Sequence, residues 1–278
     1  MSEKSPINWL LEQNVFDDGN PEQISKIVRS HGMPCYEIAY SCVEGNEQDL
    51  RPVKPFVLGD DDTVMVYGSM NLMKWLLREQ KYPRLAWYNF SRLTCQNYYA
   101  RWRQFLLQRR YAFLPLAEID RRAGWVFQTF GRNGAVFIRP DDNAKSFGGG
   151  IVKEENFAQW YQLANFYEPG PGCLAVVSSP ETIRAEWRFV IGQKRVVTGS
   201  QYRREGEEQV SAGYPSEAAA FAETVANAND FNPHPMYVMD IAGTDEGYRL
   251  IEIGSVCCAS LYACDLTKLV ASVTEIAF

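Results

Sequence analysis

Apolar residues over the first part of the chain fall in short blocks closed by turn-forming residues, the mark of alternating strands and helices. Ile7 to Gln13 reads as a short strand. Asn20-Pro21-Glu22 reads as a helix start, with Asn as the cap and Pro at the first helical position. That helix runs to about Ser30 and ends at Gly32. Cys35 to Tyr40 alternates as a strand does, and Asp60-Asp61-Asp62 makes a turn before the β-branched, apolar run Thr63-Val64-Met65-Val66-Tyr67. After Gly68-Ser69, Met70 to Glu79 reads as a helix. Strand, helix, strand, helix predicts a small α/β layer with a partly parallel sheet.

The stretch Asn97 to Arg110 is both aromatic and basic. A nucleic-acid or phosphate-binding helix would use its rings and its arginines together. An amphipathic helix would instead turn Tyr98, Trp102, Phe105 and Leu106 to a core and leave Arg101, Gln104 and Gln108 outside, and the helical spacing favours this second reading. From Trp125 the rhythm shifts to short β-rich runs between glycine-rich turns. Val136 to Arg139 and Leu174 to Ser178 read as strands, with an aromatic-rich helix, Glu154 to Phe166, between them. Arg188 to Ile191 and Arg195 to Ser200 form a hairpin about Gly192-Gln193-Lys194. An alanine-rich helix, Ser216 to Ala228, precedes two more strands, Met236 to Ala242 and Tyr248 to Ile253, joined through Gly243 to Gly247. The sequence holds no internal repeat and no heptad array.

Composition narrows the picture. The 278 residues are 46% hydrophobic and 22% charged, which suits one large or two modest folded domains. A net charge of -6 argues against a broad basic surface for duplex nucleic acid. No apolar run reaches the roughly 20 residues that span a bilayer, and Met1 to Ser5 lead into mixed sequence without an apolar signal core. The chain has 7 cysteines without a C-x-x-C pair, and 2 histidines, His31 and His234. That set argues against structural zinc and against Ser-His-Asp or Cys-His catalysis, and it fits reduced, buried thiols in a cytoplasmic protein. His234, between Pro233 and Pro235, is expected in a loop.

The strongest local signal is Val136-Phe137-Ile138-Arg139-Pro140, followed by a loop from Asp141 to Gly150. A strand delivers a cation, Pro stops it, and the loop carries Lys145, Ser146 and the successive glycines Gly148, Gly149 and Gly150. Glycines let backbone N–H groups approach a polyphosphate without Cβ obstruction, and Arg139 and Lys145 would neutralise its charge. Neither the P-loop nor the G-x-G-x-x-G pattern is present, and a plain surface loop explains the glycines alone equally well. The second signal is Asp240 and Glu252, each inside an apolar strand. An acid so placed must be paired, hydrogen-bonded or bound to metal, and two from paired strands could hold Mg²⁺. The third is Glu186-Trp187-Arg188, where Glu186 and Arg188 share one strand face. Such a pair could meet ribose hydroxyls and a transferred phosphate, or form a surface salt bridge.

These signals in this order resemble the ATP-grasp superfamily: a basic residue and Pro ending a strand, a Gly-rich loop, a helix, a hinge strand, a strand beginning with Glu, an Asp strand and a Glu-x-Asn strand. The resemblance covers Trp125 to the C terminus. It is similar above all to the phage and bacterial branch in which Arg replaces the usual nucleotide-binding Lys; here Phe-Ile-Arg-Pro stands where many relatives have Val-Lys-Pro. The resemblance implies an ATP-grasp fold of α+β and α/β character, two subdomains gripping ATP, after a pre-ATP-grasp α/β domain. The implied division is 1–115 for the N-terminal domain and 116–278 for the ATP-grasp domain, itself split at 116–179 and 180–278. It assigns ATP to Arg139, Lys145, Ser146, Gly148, Gly149, Gly150, the hinge residues Val177, Ser178 and Glu181, and Glu186. It assigns Mg²⁺ to Asp240 and Glu252, and catalysis to Arg188 and Lys145.

By that resemblance the protein is an ATP-dependent carboxylate–amine ligase working through an acylphosphate. Its partners would be a carboxylate substrate and an amine acceptor, as small molecule, peptide or protein, with no nucleic acid or membrane; a homodimer is left open. Arg203 and Arg204 are candidates for the carboxylate substrate, against solvated charges on a hairpin end. One departure stands out: Gly254 occupies the place of the family's Asn. Ser255 or water would have to substitute, or one metal would be held less tightly. Gly254 therefore motivates a second reading, a degenerate ATP-grasp module that binds nucleotide or a partner without turnover.

Overall fold

In the computed structural model, residues 7–16, 18–42, 48–52, 54–59, 62–82, 87–166, 169–170 and 172–277 are described. The predicted mixed opening segment, and Asp60 and Asp61 of the predicted turn, lie outside the described residues. The first sheet holds β1 (Asn8–Glu12), β2 (Cys35–Cys42), β3 (Gln48–Pro52) and β4 (Val64–Tyr67) in the order β3-β2-β1-β4. β1 runs parallel to β2 and β4, and β3 closes the edge antiparallel. Helix α1 (Asn20–Ser30) supplies the crossover from β1 to β2, and α2 (Met70–Arg78) follows β4 as the chain leaves the sheet. Every residue of β1 is buried, as expected of a central parallel strand covered on both faces. The expected Asn cap of α1 is corrected: Gly19, at φ 65°, holds the capping position and Asn20 opens the helix. The chain must enter α1 through a left-handed residue, which glycine adopts without steric cost.

The second sheet joins β5 (Tyr111–Pro115), β6 (Ala135–Pro140), β7 (Gly150–Lys153) and β8 (Leu174–Ser178) in the order β5-β8-β6-β7, all antiparallel. It carries α4 (Leu116–Arg121), α5 (Ala123–Phe130) and α6 (Phe157–Phe166). The third holds β9 (Ala185–Gly192), β10 (Arg195–Arg204), β11 (Glu207–Ala212), β12 (Met236–Thr244) and β13 (Gly247–Gly254) in the order β11-β10-β9-β12-β13, also antiparallel. Helices α7 (Ser216–Asn227) and α8 (Leu266–Ala277) pack against it. The β9–β10 hairpin turns through Gln193 and Lys194, at φ 48° and 65°, the pair of left-handed residues that a tight two-residue turn requires.

Two hydrophobic cores result. One runs from the first sheet into the third; the other, built from residues such as Ile119, Phe127, Val136, Ile138 and Val177, belongs to the second sheet alone. Alternation along β8 divides its side chains, with Val176 in the large core and Ala175 and Val177 in the small one. Among the described residues no helix is long and apolar enough to cross a membrane.

Two further expectations are corrected, and one helix is added. Asn97 to Arg110 is not one helix: a short α3 (Cys95–Tyr99) gives way to a single 3-10 turn, Arg103–Phe105. Tyr98, Trp102 and Leu106 are indeed buried, but Leu107 N–H donates to Leu250 O at 2.8 Å, so the chain must straighten to join β13. The region about Trp125, read as β-rich, is the helix α5, which turns Val126, Phe127 and Phe130 inward. The C-terminal α8 has no counterpart in the sequence reading. It buries Leu266, Leu269, Val270 and Val273, and Asp265 Oδ1 caps it by accepting from Thr267 and Lys268 N–H at 3.0 and 3.1 Å.

His234 lies in a loop, as expected, yet is only 4% exposed, and its ring Nε2 donates to Asn89 O at 3.2 Å. Burial lowers its pKa to about 4. The folded state therefore holds it neutral while the unfolded chain takes up a proton below about 6.5. Stability from this residue is complete above pH 6.5 and is lost as pH falls toward 4, by on the order of 3 kcal/mol. Urea unfolding of the wild type and His234→Gln at both ends of that window is expected to show a shallower acid loss in the variant; equal slopes contradict it.

Candidate functional site

β6 places Phe137 and Arg139 on one face by strand alternation, and the chain then turns at Pro140. Asp141 pins the start of the loop to α3: its backbone O accepts from Cys95 N–H, and its carboxylate accepts from Gln96 N–H and Nε2, at 2.8, 2.8 and 2.9 Å. Asp142 closes the next turn by accepting from Ser146 Oγ at 2.6 Å and from Ser146 N–H at 3.3 Å. The loop returns so tightly over Arg139 that a Cβ at Gly149 would stand 2.9 Å from Arg139 Cβ. At Gly148 and Gly150 the same added atom meets nothing within 4 Å, so the backbone there is open to approach.

Opposite this loop, neighbouring strands align charges in one row. Arg188 on β9 faces Asp240 on β12, and Asp240 faces Glu252 on β13. Arg188 grips Asp240 with two hydrogen bonds, Nε to Oδ1 at 2.8 Å and Nη2 to Oδ2 at 2.7 Å, and donates Nη1 to Ser260 O at 2.9 Å. Arg139 reaches across from the second sheet and places Nη2 2.5 Å from Glu252 Oε2. Its Nε is buried without a partner among the described residues. Burial pushes the Asp240 carboxyl above its ordinary value despite Arg188. Burial acts the same way on Glu252, but Arg139, Arg188 and Lys145 outweigh it and hold that carboxyl below the usual range.

A second layer steadies Arg188. The rings of Tyr202 and Tyr262 stack 5.0 Å apart at 9°, and the guanidinium lies 5.7 Å from the first and 5.3 Å from the second. Such cation–π contacts strengthen as water is excluded. Tyr202 Oη donates to Glu186 Oε2 at 2.6 Å, and Arg203 Nη1 stands 3.7 Å from Glu186 Oε1. Burial raises the Glu186 pKa, partly offset by the Tyr202 hydrogen bond.

Arg139, Lys145, Gly148, Gly149, Glu186, Arg188, Arg203, Asp240 and Glu252 all line one cleft of about 750 Å³ between the second and third sheets. The other candidate residues lie elsewhere. Ser146 is spent on Asp142, and Gly150 opens β7. Val177 and Ser178 are buried inside β8 and do not line the cleft. Glu181 pairs with Arg132 at 3.1 Å beside a separate hollow, and Arg204 borders a third hollow near Trp187. The cleft also takes Phe137, Asn143, Tyr202, Ile251 and Tyr262, none of them singled out from sequence. Phe137 was legible in principle, two residues before Arg139 on the same strand face. Ile251 was not: β13 carries it as an extra residue, since Asp240 pairs with Glu252 while Ile241 pairs with Leu250. That bulge lets the adjacent Ile251 and Glu252 both line the cleft.

A comparison with curated protein sequences gives no match. Among solved structures, D-cycloserine synthetase DcsG superposes with a TM-score of 0.62 at 13% identity, covering 98% of this chain and 100% of its own. D-alanyl-alanine synthetase A from Vibrio cholerae O1 biovar eltor str. N16961 gives 0.60 at 12%, covering 99% of each. The ATP-grasp ligase PsnB complexed with minimal precursor gives 0.51 at 11%, covering 99% and 100%. PsnB complexed with a phosphomimetic variant of that precursor, Mg and ADP gives 0.50 at 12%, with the same coverage. At these identities the likeness is one of fold, and it extends over the whole chain. Residues 79–273 match a family model described as an ATP-grasp domain, the third family of its clade. The chain has the ATP-grasp fold and belongs to the ATP-grasp superfamily.

Proposed function

We propose that this protein is an ATP-dependent carboxylate–amine ligase that works through an acylphosphate, with nucleotide and Mg²⁺ held in the cleft between the second and third sheets. The observation that carries the reading is the charged row across that cleft, in which the buried carboxylate of Asp240 and the half-buried carboxylate of Glu252 face the cations Arg139, Arg188 and Lys145 beneath a glycine-rich loop. Family membership and ligase neighbours support it. We assign Arg139 the nucleotide-binding role that many relatives give to Lys, as in a phage or bacterial branch of the family. The domain division at 1–115, 116–179 and 180–278 belongs to the same proposal, with one shift: β5 pairs with β8, so the middle lobe begins at Tyr111.

The residues present fit both groups. The unpartnered, buried Nε of Arg139 and the open backbone at Gly148 suit a polyphosphate. Asp240 and Glu252 are hard oxygen donors, which suit Mg²⁺, and both already hold cationic guanidinium groups. Mg-ATP, when bound, supplies the phosphoryl group that activates the substrate carboxylate. Arg139 and Lys145 spread positive charge over the phosphates, and Arg188, fixed by Asp240 and the tyrosine stack, is preorganised to stabilise charge on the moving group. Phe137 and Ile251 offer apolar flanks for the base. The loop from Asp141 to Gly149 excludes water, which protects an acylphosphate from hydrolysis. Arg203, in the cleft, is the better candidate for the substrate carboxylate; Arg204 faces another hollow. PsnB is complexed with a precursor and the two synthetases are named for D-alanyl-alanine and D-cycloserine, so both substrate sizes lie within the proposal.

A second reading, nucleotide binding without turnover, is favoured by Gly254 and by the arginines that already occupy both acids. Phosphate release from ATP across a panel of carboxylates and amines separates the two. Turnover is expected, and binding without turnover on every pair supports the module. Asp240→Asn and Glu252→Gln are each expected to lower Mg-dependent phosphate release by about 100-fold or more with an unchanged circular dichroism spectrum. Wild-type rates in both overturn the metal assignment. Arg188→Met strands the Asp240 carboxylate, which is 2% exposed, and is expected to cost about 3–5 kcal/mol in urea unfolding. The double variant Arg188→Met/Asp240→Met is expected to recover most of that loss, and additive losses contradict the pairing.

A further inference from the structure

Glu252 and Gly254 sit two residues apart on β13, beyond the Ile251 bulge, and so present the same strand face to the cleft. Position 254 has no side chain to offer. The next residue cannot supply one: Ser255 is 2% exposed, its Oγ donates to Trp87 O at 2.7 Å and accepts from Cys257 N–H at 3.1 Å. Another element fills the space. A Cβ built on Gly254 would stand 3.1 Å from Val238 Cγ2, 3.6 Å from Asn143 Nδ2 and 3.7 Å from Asn143 Oδ1, so the amide of Asn143 lies in contact with the place where a side chain from position 254 would begin.

The hydrogen bonding orients that amide. Asn143 Nδ2 donates to Ile253 O at 3.0 Å, and a carbonyl can only accept, so the nitrogen is fixed and the oxygen takes the other branch. Among the described residues Asn143 Oδ1 accepts no hydrogen bond. Asn143 lines the same cleft as Asp240 and Glu252. Amide oxygens are ordinary ligands of hard divalent cations, alongside carboxylates and water.

We propose that Asn143, reaching over from the glycine-rich loop, contributes through Oδ1 the third protein oxygen of a divalent-cation site with Asp240 and Glu252. This rests on the Mg²⁺ reading above. It ties the loop to the ion: the site is complete only with the loop seated on β13, so cation binding and loop seating favour each other.

The test uses the full chain, a non-hydrolysable ATP analogue and Mn²⁺ as the probe, with free Mn²⁺ counted by electron paramagnetic resonance. Asn143→Ala is expected to weaken Mn²⁺ binding by about tenfold. Asn143→Asp keeps an oxygen but cannot donate to Ile253 O, and is expected to bind at least as tightly as the wild type. Asn143→Ala/Gly254→Asn returns the amide from the strand side and is expected to come within about threefold of wild type. Wild-type affinity in Asn143→Ala overturns the proposal, as does an Asp variant as weak as the Ala variant, because a simple tether from loop to strand predicts that result. A folded double variant no better than Asn143→Ala overturns it as well. If the wild type binds no Mn²⁺, or Glu252→Gln leaves binding unchanged, the parent reading fails and takes this one with it. Loss in Glu252→Gln with no loss in Asn143→Ala removes this one alone.

Discussion

Glu252 and Arg139 meet where two separately built hydrophobic cores come together, and neither residue can be understood without the other. Arg139 is buried and Glu252 half-buried, and withdrawing a charge from water is costly unless an opposite charge lies close by. Arg139 is carried by the lobe with the small core, and Glu252 by the sheet that shares the large one. Asp240 and Arg188 repeat the arrangement within the third sheet. The four groups form a row in which two adjacent carboxylates are flanked by a cation at each end, so that each carboxylate finds a cation and the cleft they frame keeps a dense but balanced charge. A polyanion entering there meets cations already desolvated and aimed. It also meets carboxylates whose present partners are cations, and a metal ion has the same sign.

The separation of cores gives the loop its setting. The second sheet carries its own apolar interior, and the segment between β6 and β7 is anchored at both ends to strands of that sheet. Its turn geometry is held from within by Asp142 and from outside by Asp141 on α3. Of its three glycines, Gly148 and Gly150 have no neighbour that a side chain would strike, whereas Gly149 lies against Arg139.

Much of this was written plainly in the chain. The strand ending at Arg139-Pro140, the hairpin at Gln193 and Lys194 and the paired strands of Asp240 and Glu252 were all legible. In each, a period of two meets a turn signal, and local and tertiary preferences agree. The acids were legible because a carboxylate inside an apolar strand needs a partner wherever it goes. The failures have a common cause. Asn97 to Arg110 has helical spacing, but the backbone of Leu107 is claimed by β13, and tertiary pairing overrides propensity. β11 is exposed along its length and polar, so it has no apolar alternation to read. Tyr202, Tyr262 and Asn143 enter the site through stacking and loop approach, contacts between residues far apart in sequence that no local pattern encodes.

The bulge at Ile251 has a consequence for how relatives are compared. An extra residue in one strand lengthens the interval between the two acids while leaving them face to face. A kinsman lacking that insertion would keep the same three-dimensional partners at a shorter separation in the text. Motif searches that demand fixed intervals would then score true counterparts as strangers, and alignment by superposition is the sounder guide wherever one ladder has slipped a rung.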